Sequence, residues 1–272
     1  VGYYTHSPRG DQLAQPGSIG GEPERQDVGT DIADILCCPF TTDRTDLTGN
    51  HTLIPGDSTI EPGGITTGYN GEAVLMCNRG AGGAVRTTAS EDAHAIGGTD
   101  PVTFGMFLRP TFWNTTSNFL CSTGTGGGQN YGLTRFVDGS WGFRNDQGGG
   151  SGSAWRVMIN RDPEDDDTQI ANAGRWFHVA MRCDDGANEG SFFWDGNEIW
   201  SGAFGTNGRK VANPTDIFSI NEASATSDNP GWEGYLTNVF IASRALSNAE
   251  IKALSDEAHG HSSPWTVGAP LP

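Results

Sequence analysis

The chain has 272 residues, a formal net charge of −17, 40 glycines and only two lysines, Lys210 and Lys252. Binding nucleic acid or an anionic bilayer requires a basic footprint that displaces counterions. The acidic balance therefore excludes both classes and leaves neutral ligands, cations and other proteins. Glycine is costly inside helices and favoured in turns, so this composition argues for many short strands joined by loops.

Residues 1–34 are polar, rich in glycine, proline and charge, and show no sustained period of 2 or 3.6. They read as an extended N-terminal arm that must lie on the main domain or on a neighbouring subunit. The Arg9-Gly10-Asp11 triplet in this arm is read as a chance occurrence. No secretory signal or membrane-spanning run is found, and no membrane insertion is expected.

From residue 34 onward, strand signals are dense: 34–41, 72–77, 83–87, 102–109, 117–122 and 131–137. Within 102–109, Val102, Phe104, Met106 and Leu108 alternate with Thr103, Gly105, Phe107 and Arg109. Asp138-Gly139 then predicts a two-residue type I′ hairpin into 140–143, because both central residues of that turn need positive φ. Runs at 155–160, 176–183, 191–194, 197–200, 216–221 and 235–242 follow. In 176–183, Phe177, Val179, Met181 and Cys183 would face the core. Trp176, His178, Ala180 and Arg182 would face the other way. Asp195-Gly196 makes a further tight turn. The glycine-rich stretches 124–128 and 148–152 lack the Lys-Ser/Thr of a phosphate-binding loop. One helix is predicted from Ser247-Asn248-Ala249-Glu250, a capping box, with Ile251 and Leu254 as its apolar stripe and an end near His259-Gly260. Residues 259–272 form an extended C-terminal tail. The fold class is thus all-β: a two-sheet antiparallel jelly-roll sandwich over 35–258, with one short C-terminal helix and two extended arms.

The five cysteines form no CxxC pair, so they support no zinc site and read as reduced, structural thiols. The sequons at Asn50 and Asn114 are read as background. No paired carboxylates occur on a strand face, as glycoside hydrolysis requires. The run Glu164-Asp165-Asp166-Asp167 reads as a solvated turn, and His178 as a packed histidine. No catalytic residues are assigned. Sugar sites combine an aromatic face with polar groups for hydroxyls. On that chemistry the candidate ligand-binding residues are Trp141, Trp155, Trp200 and Trp232, with Asp184 and Asp185.

The order Trp176-Phe-His-Val-Ala, Asp185-Gly186, then Phe193-Trp194-Asp195-Gly196 resembles the laminin-G-like, concanavalin A-like lectin/glucanase family. The closing runs, from Gly234-Tyr-Leu-Thr-Asn-Val-Phe-Ile to Ser243-Arg-Ala-Leu-Ser-Asn-Ala-Glu-Ile, agree with it. The resemblance spans about 35–258. It implies a jelly roll and carbohydrate or protein binding. The family often carries acidic residues on the closing strand, where some members hold calcium. Here those positions are Thr237 and Asn238. No cofactor is required, and calcium stays open only through Asp46 and Asn50.

The expected function is a non-catalytic structural or adhesion protein of a larger assembly, a virion decoration, fibre or tail component made in the cytoplasm. Its subunit contacts would run through residues 1–34 and 259–272 of a homo-oligomer. The alternatives are a carbohydrate-binding lectin module, in an extracellular setting, and a polysaccharide-degrading enzyme. A surface glycan is the ligand expected under either binding reading.

Overall fold

A computed structural model describes residues 36–38, 46, 48, 50, 52–55, 65–67, 73–77, 85–87, 101–113, 118–124, 131–136, 140–145, 155–159, 176–184, 189–203, 217–220 and 232–260. The described strands are, first, β1 (Leu36–Cys38), β2 (Leu53–Pro55), β3 (Ile65–Thr67), β4 (Ala73–Cys77) and β5 (Val85–Thr87). Next come β6 (Val102–Trp113), β7 (Asn118–Gly124), β8 (Tyr131–Arg135), β9 (Trp141–Asn145) and β10 (Trp155–Ile159). The last are β11 (Phe177–Cys183), β12 (Glu189–Trp194), β13 (Asn197–Ala203), β14 (Ile217–Ile220) and β15 (Trp232–Ala242), followed by helix α1 (Asn248–Gly260).

The strands form two sheets. Sheet A has the order β13-β12-β11-β6-β15-β4-β3, with β1 pairing the C-terminal part of β15. Sheet B has the order β10-β9-β8-β7-β14-β5-β2. All described pairings are antiparallel. The expected two-sheet jelly roll with one short C-terminal helix is therefore the fold.

Alternation decides which residues go inside. Val102, Phe104, Met106 and Leu108 of β6 share one buried cluster with Phe177, Val179, Met181 and Cys183 of β11, as their period predicts. Sheet B contributes Leu133, Trp141 and Ile220 to the same cluster. Trp141 sits at its centre, 5.6 Å from Trp194 and 6.3 Å from Phe177, both edge-on. Edge-on packing suits aromatic quadrupoles, and burying rings of this size dominates core energetics. Cys38 and Cys183 are buried in this same cluster.

The opposite face of sheet A is covered rather than solvated. Ala180, Phe193, Phe240 and Ala242 form a second buried cluster with Leu246, Ile251 and Leu254, the stripe of α1. Buried Thr103 ties the approach to the helix: its hydroxyl donates to Arg244 O and accepts from Leu246 N–H, each at 2.9 Å. The capping box forms as expected. Glu250 Oε2 accepts from Ser247 N–H at 2.8 Å, and Ser247 Oγ accepts from Glu250 N–H at 3.3 Å.

Several boundaries differ from the sequence reading. β2 and β3 are only three residues each, too short to show a period. β6 continues past Arg109, where the sequence reading ends the strand, through Pro110, although proline cannot donate to a ladder. A register shift between Glu233 and Gly234 lies opposite Pro110 and accommodates it. The turn expected at Asp138-Gly139 lies outside the described residues; on either side of it Phe136 N–H donates to Ser140 O at 2.8 Å. The terminal stretches 1–34 and 261–272 lie outside the described residues. His259 and Gly260, where the C-terminal tail is expected to start, belong to α1.

Candidate functional site

A sandwich has two outer faces, and here they differ. The outer face of sheet A is fastened to α1 by a network centred on Arg182. Arg182 donates through Nη1 to Leu246 O at 3.1 Å and to Asn248 Oδ1 at 2.6 Å, and through Nη2 to Ser191 Oγ at 2.9 Å. Its Nε pairs with Asp184 at 3.1 Å, and its guanidinium lies 5.2 Å from the Phe193 ring centroid. Glu198 closes the network, accepting from Asn248 at 2.7 Å and Ser191 at 3.2 Å. Burial opposes the Glu198 charge, but hydrogen bonds from Asn248, Ser191 and Ser201 and the Arg182 charge outweigh it and hold its carboxyl below the usual value. A carboxylate held ionised and saturated with donors is a poor general acid, so this network fastens a helix. His178 is buried and stacked on Phe240 at 6.2 Å, a packed histidine.

No described element packs on the outer face of sheet B. Its register brings one residue from every strand into a single row. The row runs Trp155–Arg144–Gly132–Ser122–Ser219–Arg86–Ile54, each neighbour directly opposite the next. Its face follows from period 2: Leu133 and Ile220 point into the core, so Gly132 and Ser219, their chain neighbours, belong to the other side. The middle of this face is made of small residues, Gly132, Thr134, Gly142 and Ser219, all of them buried rather than open to solvent. The Ser219 hydroxyl is buried and has no hydrogen-bond partner.

The sequence-predicted residues scatter over the fold. Trp141 is a correction: it is 0% exposed and walled in by Phe177, Phe192 and Trp194, so neither ring face can meet a ligand. Trp155 occupies the edge position of the sheet B row. Trp200 is half-buried on β13, packed against the main core, and β13 runs beside β10 where the two sheets meet. Thus the strands that carry Trp155 and Trp200 lie beside each other. Trp232 pairs with Trp113 at the start of β15, in the other sheet. Asp184 is drawn into the Arg182 network. Asp185 and the acidic run 164–167 lie outside the described residues. The arginine–serine row escaped the sequence reading because Arg86, Ser122, Arg144 and Ser219 sit on four separate strands whose order no local pattern reveals.

The described residues do not make a calcium site. Asp46 is buried, and its two oxygens accept from Thr48 N–H at 3.0 Å and Thr48 Oγ1 at 2.7 Å, a local turn. Asn50 is exposed and donates its N–H to Thr48 Oγ1 at 3.3 Å. At the closing strand, Thr237 Oγ1 donates to Asn238 Oδ1 at 3.2 Å, which leaves the buried donor Asn238 Nδ2 without a partner. A donor is the wrong polarity for a cation that needs about six to eight oxygens. Among the described residues no three His, Cys, Asp or Glu converge on a common point, and no helix is long and apolar enough to cross a membrane.

The family model described as the concanavalin A-like lectin/glucanases superfamily matches residues 79–252. No curated protein matches the sequence. Among solved structures, the binding domain of botulinum neurotoxin serotype G is similar, with 12% identity and a TM-score of 0.60 over 83% of this chain and 51% of that one. The botulinum neurotoxin serotype D ligand-binding domain, solved with N-acetylneuraminic acid, gives 12% identity and 0.59 over 84% and 52%. Domain 4 of AbnA, an extracellular arabinanase from Geobacillus stearothermophilus, solved with arabinotriose, gives 17% and 0.58 over 82% and 99%. At such identities the likeness is one of fold, and the chain spans about half the length of the two neurotoxin domains.

Proposed function

The chain belongs to the concanavalin A-like lectin/glucanases superfamily, and on that premise we propose that it is a non-catalytic module that binds carbohydrate. The observation that carries this reading is the fold itself, two antiparallel sheets of the jelly-roll kind packed over one aromatic core. Similar domains bound to N-acetylneuraminic acid and to arabinotriose support the ligand class. The donor-saturated Glu198, held ionised in the network that fastens α1, supports the non-catalytic part. The test is a glycan array on the intact protein, followed by calorimetry on the strongest ligand. The expected result is saturable binding that Trp155→Ala weakens by about tenfold, the scale of one lost stacking contact. A silent array, or reducing ends released from a polysaccharide panel, overturns the reading.

The narrower placement, an adhesion component of a virion that assembles as a homo-oligomer, draws its support from the polar stretches 1–34 and 259–272, which carry no core pattern of their own. Native mass spectrometry of the full chain and of a chain lacking residues 1–34 tests it. Oligomers that dissociate on truncation support it, and monomers in both cases overturn it.

A further inference from the structure

The cover that α1 gives the outer face of sheet A stops short of one end. The helix closes over Ala180, Phe193, Phe240 and Ala242. Further along the same face come Phe107, Thr237 and His178, which are 1%, 2% and 2% exposed. The next row is different. Arg109 of β6 stands directly opposite Tyr235 of β15, and both are half-buried, keeping part of their surface in solvent. Trp176, one residue before the Phe177–Leu108 pair, approaches Arg109 from the β11 side. Leu108, Leu236 and Phe177 lie in the core cluster, so their chain neighbours Arg109, Tyr235 and Trp176 belong to the outer face. Two ring contacts fix the row. The Arg109 guanidinium lies over the Tyr235 ring, 5.9 Å from its centroid. Trp176 is stacked on Phe107 at 5.0 Å, with the rings 6° from parallel.

We propose that Arg109 is the recognition residue for one acidic sugar unit, uronic or sialic, with Tyr235 and Trp176 as the residues that position it. The proposal rests on the carbohydrate-binding reading and gives it a site and a ligand class. Three observations carry it. First, solvent reaches this row and not the one before it, and the side chains that it reaches are a cation and a phenol. Second, the guanidinium is held against an aromatic ring. Arginine offers five N–H donors in a planar fork that matches both oxygens of a carboxylate, a fit that a sugar hydroxyl does not provide. The Tyr235 ring limits how the guanidinium can turn, so less freedom is lost when a ligand arrives. Third, the charge is local. The chain carries a net charge of −17. Among the described strands of sheet A the other arginine, Arg182, is tied to Asp184 and Glu198. A cation on such a surface attracts an anion at contact, while repulsion from distant acidic groups is screened over about 8 Å at physiological salt. From Trp176 to Tyr235 the row spans two strand steps, about 10 Å, with one charge at its centre. That arrangement reads a single acidic group flanked by ring-bearing side chains, as a sugar site requires.

The probes are galacturonate, N-acetylneuraminate, the methyl ester of each, galactose, acetate and inorganic phosphate, measured by NMR titration of the full chain. The expected result is that one of the two acidic sugars binds best and moves the Trp176 indole resonance. Its methyl ester, galactose and acetate should each bind at least about tenfold more weakly, and the affinity should fall as salt rises. Arg109→Gln should weaken the acidic sugar by about tenfold or more, while Arg109→Lys recovers part of the loss. Tyr235→Phe, which keeps the ring under the guanidinium, should retain most of the affinity, and Tyr235→Ala should lose it. A merely structural tyrosine would lower Tm in the alanine variant and leave the affinity of the folded protein alone. Should Arg109→Gln fail to fold, the comparison of acid with ester on the unmodified protein decides. Equal binding of acid and ester overturns this inference and leaves the carbohydrate reading standing. Acetate or phosphate binding as tightly as the acidic sugar overturns the sugar assignment. Silence towards every probe, with a glycan array that responds to neutral sugars, overturns this inference alone, and a silent array overturns both.

Discussion

Asp195 and Gly196 show how far a dipeptide can specify structure. Their φ values of +47° and +75° are those of a type I′ turn, which an Asp-Gly step adopts with little strain. The turn is also held from outside. Asp195 Oδ1 accepts from His178 N–H at 2.8 Å, and a Cβ on Gly196 would lie 2.7 Å from Lys252 Cδ on α1. Asp195→Ala should therefore cost about 1–2 kcal/mol in chemical denaturation, through both the lost acceptor and the positive φ. Asp195→Asn, which keeps an acceptor and tolerates that φ, should cost clearly less. The capping residue Glu250 makes a pH prediction. Its hydrogen bond from Arg244, opposed by partial burial and aided by Ser247, lowers its pKa to about 2. A carboxyl depressed in the folded state stabilises above its ordinary value of 4.5, and that contribution is lost as pH falls towards 2. Glu250→Gln should lower Tm at neutral pH, and the gap from wild type should close between about pH 5 and about pH 2.

Among elements, β6 bears the most: it pairs with β11 on one side and β15 on the other, and it presents buried residues to both clusters. Alternation along 102–109 predicts the inner face well. What lies on the other face is not legible there, because Gly105 and Phe107 read equally well as a solvated side. The structure covers that side, with Trp176 stacked on Phe107 at 5.0 Å and Phe240 lying against Gly105. A Cβ at Gly105 would meet Val179 O and Phe240 Cε1, each at 2.7 Å. Gly105→Ala should accordingly destabilise by about 1–3 kcal/mol, since a backbone oxygen cannot move aside. Gly202→Ala on edge strand β13, where the nearest atom is Trp200 Cζ2 at 3.3 Å, should cost much less by the same measurement.

Over the whole molecule, charge is the property most easily misread from a total. A net charge of −17 points towards neutral or cationic partners, and as a statement about the average surface that holds. Folding then sorts the charges, leaving sheet B with arginines alone. The excess negative charge elsewhere repels itself in the compact state. Raising NaCl from about 20 mM to about 0.5 M should therefore raise Tm in a thermal melt.

Periods of two, an Asp-Gly turn, a capping box and the spacing of aromatic runs are local facts about neighbouring side chains. From them the sequence alone determined the all-β sandwich, the inner faces of β6 and β11, and the start and end of the helix. Strand order, and the residues that stand opposite each other across it, depend on contacts between segments far apart in the chain. Only the tertiary structure could decide that Trp141 is core, that Asp184 serves the Arg182 clasp, and that Arg86 and Arg144 share one row. Hydrogen-bond register couples positions whose separation along the chain carries no signature, and the candidate site is made of such positions.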